Sequence, residues 1–234
     1  MTLGDSRPRL LHDKVCLITG AGAGIGAAVA RRFSAEGAVL WLNDIDGDAL
    51  AIVVEETGGT GMAGDASDPK FVATWVNEAA RAHGRIDVLY NNVGVSRPGR
   101  IGDITEAEWR LQQRTTLDTC FFATSAVIPH MLANGGGSIV SMSSGAGIGG
   151  QYGLGAYAAA KAGVISLMET VATEYGDERI RANSVTPGPT ATAPLLAYLD
   201  QQPGGTDAHT TDLKLARLTQ PAEVAATVTW LASD

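Results

Sequence analysis

Short apolar runs alternate along this chain with longer segments in which apolar residues recur at helical spacing. Residues 15–19 are largely apolar and are followed by a glycine, which predicts a fully buried strand. Residues 25–36 have the pattern of a helix, and Gly37 is a typical helix stop. The alternation continues to the end of the chain. It predicts further strands at 38–43, 61–63, 86–90, 138–142 and 180–186, and further helices at 46–56, 69–83, 105–133, 156–175 and from Pro221.

Strands that alternate with helices predict an α/β fold built on a parallel sheet. Right-handed crossovers place helices on both faces, which gives a doubly wound sheet. We see no linker between two units, so we predict one domain over residues 1–234, with an N-terminal extension at 1–12.

Local signals refine this prediction at several points. Asp68 followed by Pro69 is typical of a helix start, and residues 105–108 fit a capping box. Pro129 should end or kink its helix early, since proline cannot donate the helical hydrogen bond. Residues 187–219 are rich in Pro, Gly and Thr and are predicted to be irregular.

Composition narrows the class of protein. The 234 residues carry a net charge of −8 and contain no basic cluster, so we predict no nucleic-acid partner. No apolar run approaches the ~18 residues of a membrane span, and the start lacks the apolar stretch of a signal peptide. Cys16 and Cys120 are isolated in apolar segments, which is typical of buried, reduced thiols. We therefore predict a cytoplasmic protein without membrane contact.

A glycine-rich segment at 19–26 follows the first strand and opens the first helix. Glycines let the backbone approach a pyrophosphate, and a helix N-terminus offers unpaired N–H groups and a positive dipole end. A plain tight turn would explain the same glycines. The candidate cofactor residues here are Gly20, Gly24, Ile25 and Gly26.

Asp44 ends the second strand, where a carboxylate would bind the adenosine ribose hydroxyls and repel a 2′-phosphate. Since no Arg or Lys lies in the glycine loop or directly after Asp44, we predict NAD as the cofactor, with NADP disfavoured. Helix capping is the alternative role. The acidic residues from 44 to 55 partly match a calcium loop, but Ala49 replaces the required glycine, so no metal site is predicted.

Two further strand ends would lie at the same edge of the sheet. Asp65 and Ala66 follow the third strand, where Asp65 could accept a bond from adenine N6 or serve only as a helix-entry residue. Asn92 and Gly94 follow the fourth strand and would lie beside the cofactor, unless they only form a turn.

Ser144, Tyr157 and Lys161 are the candidate catalytic residues. Tyr157 and Lys161 are four residues apart and share one face of a predicted helix. A lysine cation about 4 Å from the phenol would lower a tyrosine pKa of about 10 by about 3 units. Tyr157 would then exchange the proton of an alcohol, Ser144 would donate to the same oxygen, and Lys161 would also bind the nicotinamide ribose.

As a set, these motifs resemble the short-chain dehydrogenase/reductase family over roughly residues 13–234. The resemblance rests on 19–26, 91–94, Ser144, 157–161 and Pro187-Gly188. It implies a Rossmann-like fold, NAD(P)-dependent chemistry on alcohols and ketones, and a homodimer or homotetramer. It further implies that the nicotinamide carboxamide is held after the sixth strand, and that 189–219 form a substrate lid. The cofactor-binding residues that the resemblance implies in this segment are Pro187, Gly188, Thr190 and Thr192.

The chain departs from the family pattern twice. The family usually has an asparagine that supports a proton-relay water, and the corresponding position is Thr116, which lacks the two-sided amide. Family members also usually continue into one more strand, whereas this chain stops at Asp234, so we expect the final strand to be absent.

These residues lead to one leading function and two alternatives. The leading function is an NAD-dependent dehydrogenase of secondary alcohols or reductase of ketones. The alternatives are an NADPH-dependent 3-oxoacyl reductase of the same fold and a non-catalytic NAD-binding protein. The predicted pocket suggests an uncharged, mostly apolar substrate. Its candidate residues are Ser96, Ala146, Gln151, Tyr152 and Pro189.

Overall fold

Six parallel strands form one sheet in this computed structural model, which describes residues 9–211 and 213–234. Their order is β3-β2-β1-β4-β5-β6. The order reverses between β1 and β4, which opens a crevice at the carboxyl ends of the strands. The strands are β1 (Val15–Thr19), β2 (Val39–Asp44), β3 (Thr60–Ala63), β4 (Val88–Asn91), β5 (Gly137–Met142) and β6 (Ile180–Val185). The predicted doubly wound α/β fold is confirmed. Residues 1–8 of the predicted extension lie outside the described residues.

Helices cover both faces of the sheet. They are α1 (Gly24–Ala35), α2 (Gly47–Thr57), α3 (Pro69–His83), α4 (Glu106–Gln113), α5 (Thr119–Asn134), α6 (Gly155–Tyr175), α7 (Ala193–Leu199), α8 (Gly205–Thr210) and α9 (Pro221–Ala232). Side chains alternate along β1, so Ile18 packs with α1 and α9 while Leu17 packs with α3, α5 and α6. Apolar side chains therefore pack on both faces of the sheet, and the site lies at the carboxyl edge of the sheet.

The sequence signals for helix starts are confirmed. The Asp68 side chain accepts a hydrogen bond from the Lys70 N–H, with Pro69 opening α3. Thr105 and Glu108 form both bonds of a capping box at the start of α4.

Three predictions about the elements need correction. Pro129 does not end its helix, because α5 continues to Asn134. Pro129 is exposed, so a carbonyl freed by its ring can bond to water, while Val127 and Met131 anchor the helix in the core. The fourth strand begins at Val88, two residues later than expected. Finally, the irregular stretch 187–219 contains the short helices α7 and α8.

Within the part of the chain that the structure describes, no helix combines the length and apolar character needed to cross a bilayer.

Candidate active site

The candidate site lies at the carboxyl edge of the sheet, where the segments after β1, β4, β5 and β6 converge. Parallel strands bring their carboxyl ends to one edge, so residues far apart in sequence meet there. The Asn92 amide donates to the Gly20 carbonyl at 2.9 Å, and the Gly145 N–H donates to the Pro187 carbonyl at 3.3 Å. The first bond joins the loops after β1 and β4 across the switch point, and the second joins the segments after β5 and β6.

The glycine loop has a backbone that side chains would disrupt. Gly20 and Gly24 have φ values of +64° and +55°, a region that favours glycine. A Cβ at Gly26 would lie 1.9 Å from the Gly20 carbonyl oxygen. The loop can therefore close against the start of α1 only because these positions lack side chains.

The N-terminus of α1 is open to an anion. Its N-cap residue, Ala23, offers no side-chain bond, and the first turn holds no acidic residue. Helices α2, α3 and α4, in contrast, are capped by Asp46, Asp68 and Thr105. Free N–H groups and an unopposed dipole suit a pyrophosphate, so this cradle fits a dinucleotide.

Asp44 is fixed at the mouth of the glycine loop. Its Oδ2 accepts from the Gly22 N–H at 2.7 Å, and its Oδ1 accepts from the Asp46 N–H at 3.0 Å. The carboxylate thus holds the loop and stands at the end of β2, where a ribose would lie. The helix cap of α2 is Asp46, so Asp44 is not the capping residue.

Asn92 and Gly94 line the other side of the crevice. The Asn92 side-chain oxygen Oδ1 accepts a bond from the Tyr90 hydroxyl at 3.2 Å, so the side-chain amide is tied to both the loop and β4. A Cβ at Gly94 would lie 2.8 Å from the Lys161 Nζ. Glycine at this position therefore leaves room for the lysine ammonium group.

Asp65 caps its own turn in this structure. Its Oδ1 accepts from the Ser67 N–H at 2.8 Å and from the Ser67 hydroxyl at 2.7 Å. These bonds, helped by the nearby Arg114 charge, outweigh partial burial and lower the pKa of Asp65. Ala66 beside it is buried. A charged carboxylate therefore stands where the sequence suggested an adenine contact.

Ser144 and Tyr157 meet at the centre of the site. The Ser144 hydroxyl caps the short 3₁₀ turn Gly145–Gly147, accepting from the Ala146 N–H at 3.2 Å. Tyr157 lies in the first turn of α6 and is half-buried. Burial raises the pKa of Tyr157, and its hydrogen bond with Ser144 lowers it in part. The two predicted hydroxyl groups therefore lie near each other, close enough for Ser144 to influence the pKa of the phenol.

Lys161 lies one helical turn after Tyr157 and is buried. Its Nζ donates to the Met142 carbonyl at 2.6 Å and lies 5.6 Å from the centre of the Tyr157 ring. Burial lowers the pKa of Lys161 to about 8. The expected lowering of the Tyr157 pKa by a close lysine is therefore wrong for the cofactor-free protein. Burial penalises the charged form of each residue, and Lys161 bonds to a backbone carbonyl.

Thr116 lies in a π-helical turn, Arg114–Asp118, between α4 and α5. It is buried, and its Oγ1 accepts from the Val95 N–H at 3.4 Å. The same Oγ1 would lie 3.7 Å from a Cβ at Gly94, so Thr116 faces the space beside Lys161. Single π turns occur often at functional sites. The sequence showed only a helix here.

The segment after β6 folds back over the glycine loop. Thr190 donates to the Gly188 carbonyl at 3.0 Å, and the Thr192 methyl group would lie 3.3 Å from a Cβ at Gly24. The Pro187 carbonyl lies beside Gly145, as described above. The segment that carries the predicted nicotinamide residues therefore lies against the glycine loop, and α7 and α8 follow it in the chain.

The predicted substrate residues occupy different depths. Ala146 is buried next to Ser144, and Pro189 is half-buried. Gln151 lies beside the same 3₁₀ turn, with its Nε2 at 3.8 Å from the position of a Cβ at Gly145. Ser96 is exposed, and Tyr152 is 89% exposed, so both lie at the rim.

Sequence reasoning missed two contacts because backbone carbonyls carry no sequence signal. One is the Met142 carbonyl that receives the Lys161 ammonium. The other is the Ala156 carbonyl, which accepts from the Gln113 side chain at 2.9 Å directly before Tyr157.

The sequence of this chain is similar to those of known oxidoreductases. A family model described as enoyl-(acyl carrier protein) reductase matches residues 20–234. A meso-2,3-butanediol dehydrogenase from Serratia marcescens is 37% identical over 225 residues, covering 95% of this chain and 88% of that protein. A 3-oxoacyl-(acyl-carrier-protein) reductase from Thermotoga maritima is 37% identical over 229 residues, covering 96% and 92%.

The same agreement extends to solved structures. A short-chain dehydrogenase/reductase structure from Burkholderia xenovorans matches with a TM-score of 0.90 at 33% identity, covering 97% of this chain and 92% of that one. Such coverage at this identity confirms the family that the motifs indicated. This chain belongs to the short-chain dehydrogenase/reductase family, whose members are oxidoreductases with a nicotinamide cofactor.

Proposed function

We propose that this protein is an NAD-dependent dehydrogenase of secondary alcohols, and in reverse a reductase of ketones, with Tyr157 as the acid/base. The observation that carries the proposal is that the Ser144 hydroxyl lies near enough to Tyr157 to lower the pKa of the phenol, beside the open glycine cradle. In the oxidative direction, the Tyr157 oxygen takes the proton of the substrate hydroxyl. Bound NAD would supply the hydride acceptor.

Ser144 and Lys161 support that proton transfer from two sides. The Ser144 hydroxyl can donate to the substrate oxygen, which stabilises the negative charge that develops on it. Lys161, with a pKa of about 8, is mostly protonated at pH 7. Its ammonium group would bind the nicotinamide ribose and so hold the cofactor beside Tyr157, and the lysine loses its charge above that pH because burial favours its neutral form.

Asp44 supports NAD over NADP. Its two carboxylate oxygens are held by backbone N–H groups, so the carboxylate is not free to turn away from a bound ribose. A 2′-phosphate at this place would face a fixed negative charge.

The other two functions are weighed against the same residues. The Thermotoga maritima relative favours a 3-oxoacyl reductase, and Asp44 disfavours the NADPH that this alternative would use. Thr116, which stands in place of the family's asparagine, favours a non-catalytic NAD-binding role. The proximity of Ser144 to Tyr157 disfavours that role.

Calorimetry with NAD and NADP, followed by NADH formation over a panel of secondary alcohols, tests the proposal. We expect tighter binding of NAD and turnover of at least one alcohol. Tyr157→Phe should reduce turnover by at least about 10³-fold while NAD binding persists. Tyr175→Phe, at the other end of α6, is the matched control. Full activity of Tyr157→Phe, or tighter binding of NADP with 3-oxoacyl reduction, would contradict the proposal.

A further inference from the structure

The first turn of α6, which carries Tyr157, begins without a side-chain cap. Its N-cap residue is Leu154, which makes no side-chain hydrogen bond, and its first residue is Gly155. The loop before it contains three further glycines, at positions 149, 150 and 153. Glycine has no side chain to pack and leaves the backbone more freedom than any other residue. The position of Tyr157 therefore depends on contacts from other parts of the fold.

Gln113, the last residue of α4, reaches this turn from outside. Its Nε2 donates to the Ala156 carbonyl at 2.9 Å. A helical carbonyl gives one lone pair to the N–H four residues on, so its second lone pair is available to such a donor. Within the described ranges 9–211 and 213–234, no other side chain bonds to the backbone of this first turn. The bond therefore holds the peptide group that joins Ala156 to Tyr157.

The loop after β4 contacts the same region from a second direction. The Gly99 N–H donates to the Gly153 carbonyl at 2.8 Å, which holds the residue before the N-cap. A Cβ at Gly155 would lie 2.9 Å from the Ile101 Cδ1, so this contact is apolar. Neither contact fixes the rotation of the helix about its axis as a directional bond to its own carbonyl does.

The end of α4 also holds the opposite wall of the site. The Gln112 Oε1 accepts from the Arg97 N–H at 3.0 Å, and the Thr116 Oγ1 accepts from the Val95 N–H at 3.4 Å. Consecutive residues of a helix point about 100° apart, so Gln112 reaches the loop after β4 while Gln113 reaches α6. The end of α4 and the π turn therefore fix the two walls of the site relative to each other.

We infer that Gln113 is a positioning residue, which fixes the phenol of Tyr157 for proton transfer by anchoring the peptide group before it. The inference rests on the proposed function and adds a residue to it. Gln113 acts through the Ala156 carbonyl and exchanges no proton with the substrate. A displacement of about 1 Å can cost a catalytic group about 10²-fold in rate. Loss of this anchor should therefore lower the rate of the chemical step and leave the affinity for NAD unchanged.

Two variants of Gln113 test this role. Gln113→Met keeps the length of the side chain and removes the amide donor, and Gln113→Glu keeps its shape and replaces the donor by an acceptor. We expect both to lower the single-turnover rate of NADH formation by about 10-fold, for the alcohol that the wild-type protein oxidises fastest. Calorimetry should give the wild-type affinity for NAD. In Gln113→Met the midpoint of the pH profile should stay in place, because no charge has changed.

Arg110→Met is the matched control. Arg110 lies on the exposed side of α4 and donates to Glu106 of the same helix at 2.7 Å, so this variant loses a hydrogen bond without loosening α6. A wild-type rate per folded molecule in Gln113→Met or in Gln113→Glu would overturn the inference. A lower free energy of unfolding would not rescue it, since the bond would then serve stability alone.

Hydrogen exchange separates this inference from the proposed function. If no alcohol were oxidised, the proposed function would fail, and exchange of the amides of residues 158–161 in the full chain would decide the role of Gln113. Gln113→Met should exchange these amides about 5-fold faster than the wild-type protein, and Arg110→Met at the wild-type rate. Unchanged exchange in Gln113→Met would show that Gln113 does not hold the turn.

Discussion

Burial dominates the titration of Tyr157 and Lys161, the two candidate catalytic residues on α6. Tyr157 loses solvent on folding, which raises the pKa of its phenol, and Lys161 loses solvent too, which lowers the pKa of its ammonium to about 8. The two residues share one helix face, as their spacing indicated, yet their environment sets the direction of each shift. The Ser144 hydroxyl is the group that lowers the pKa of Tyr157.

Removing this hydroxyl should change the pH dependence of alcohol oxidation. The oxidative step needs the Tyr157 phenolate, so kcat/KM rises with pH until the pKa of Tyr157 is passed. Since Ser144 lowers that pKa, Ser144→Ala should move the rising limb to higher pH and reduce kcat by about 10²-fold. Profiles of kcat/KM against pH for wild type, Ser144→Ala and Ser144→Thr measure the shift. A limb that stays in place or moves to lower pH would disprove the role given to Ser144.

Among the elements, the glycine loop and the start of α1 form one unit. Gly26 lies in the first turn of α1 and touches the backbone of Gly20, so the loop and helix can assemble only without a side chain there. The open helix N-terminus, with its unpaired N–H groups, follows from this close approach.

A methyl group at Gly26 should separate the loop from the helix. Its Cβ would lie 1.9 Å from the Gly20 carbonyl oxygen and 2.7 Å from the Asn92 amide nitrogen, so the backbone must move. We expect Gly26→Ala to weaken NAD binding by at least about 10-fold and to lower the free energy of unfolding by about 1–3 kcal/mol. Gly102→Ala, where a Cβ meets nothing within 4 Å, is the matched control. Calorimetry and urea unfolding measure both effects, and NAD binding equal to that of the control variant would refute this account.

The elements also show where sequence patterns stop being informative. Caps such as Asp68 and Thr105 are local signals, and their helices begin as predicted. The π turn at Arg114–Asp118 has no local signal, because it inserts one residue into a helix whose periodicity continues on both sides. Helix α5 passes Pro129 because tertiary packing at Val127 and Met131 outweighs the local preference. Ser144, Tyr157 and Lys161 could be picked out from the sequence as candidate catalytic residues, whereas their backbone partners depend on tertiary structure.

Across the whole molecule, the carboxyl ends and the amino ends of the strands form two edges of the sheet with different roles. The carboxyl edge holds the glycine loop, Ser144 and the segment after β6, and its polar groups are left available for ligands. The opposite edge is held by paired charges around Asp87, which precedes β4 and is buried. Whether copies of the molecule assemble into dimers or tetramers stays a prediction.

Asp87 connects three parts of that edge. Its carboxylate accepts from the Val15 N–H at 2.9 Å and from the Asn134 amide at 3.2 Å, and it pairs with the Arg85 guanidinium. Strand β1, the end of α5 and the start of β4 are therefore joined through one side chain. Removing it would leave a buried N–H without a partner.

We expect Asp87→Ala to lower the free energy of unfolding by about 2–4 kcal/mol, because buried donors lose a charged acceptor. The kcat/KM of the folded protein should change little, since the substitution lies at the edge opposite Tyr157. Asp103→Ala, at an exposed loop position, is the matched control. Urea unfolding at neutral pH, together with activity per folded molecule, separates the two properties. A loss of activity without a loss of stability would show that the two edges are coupled. It would contradict the separate roles in ligand binding and in stability that we give to them.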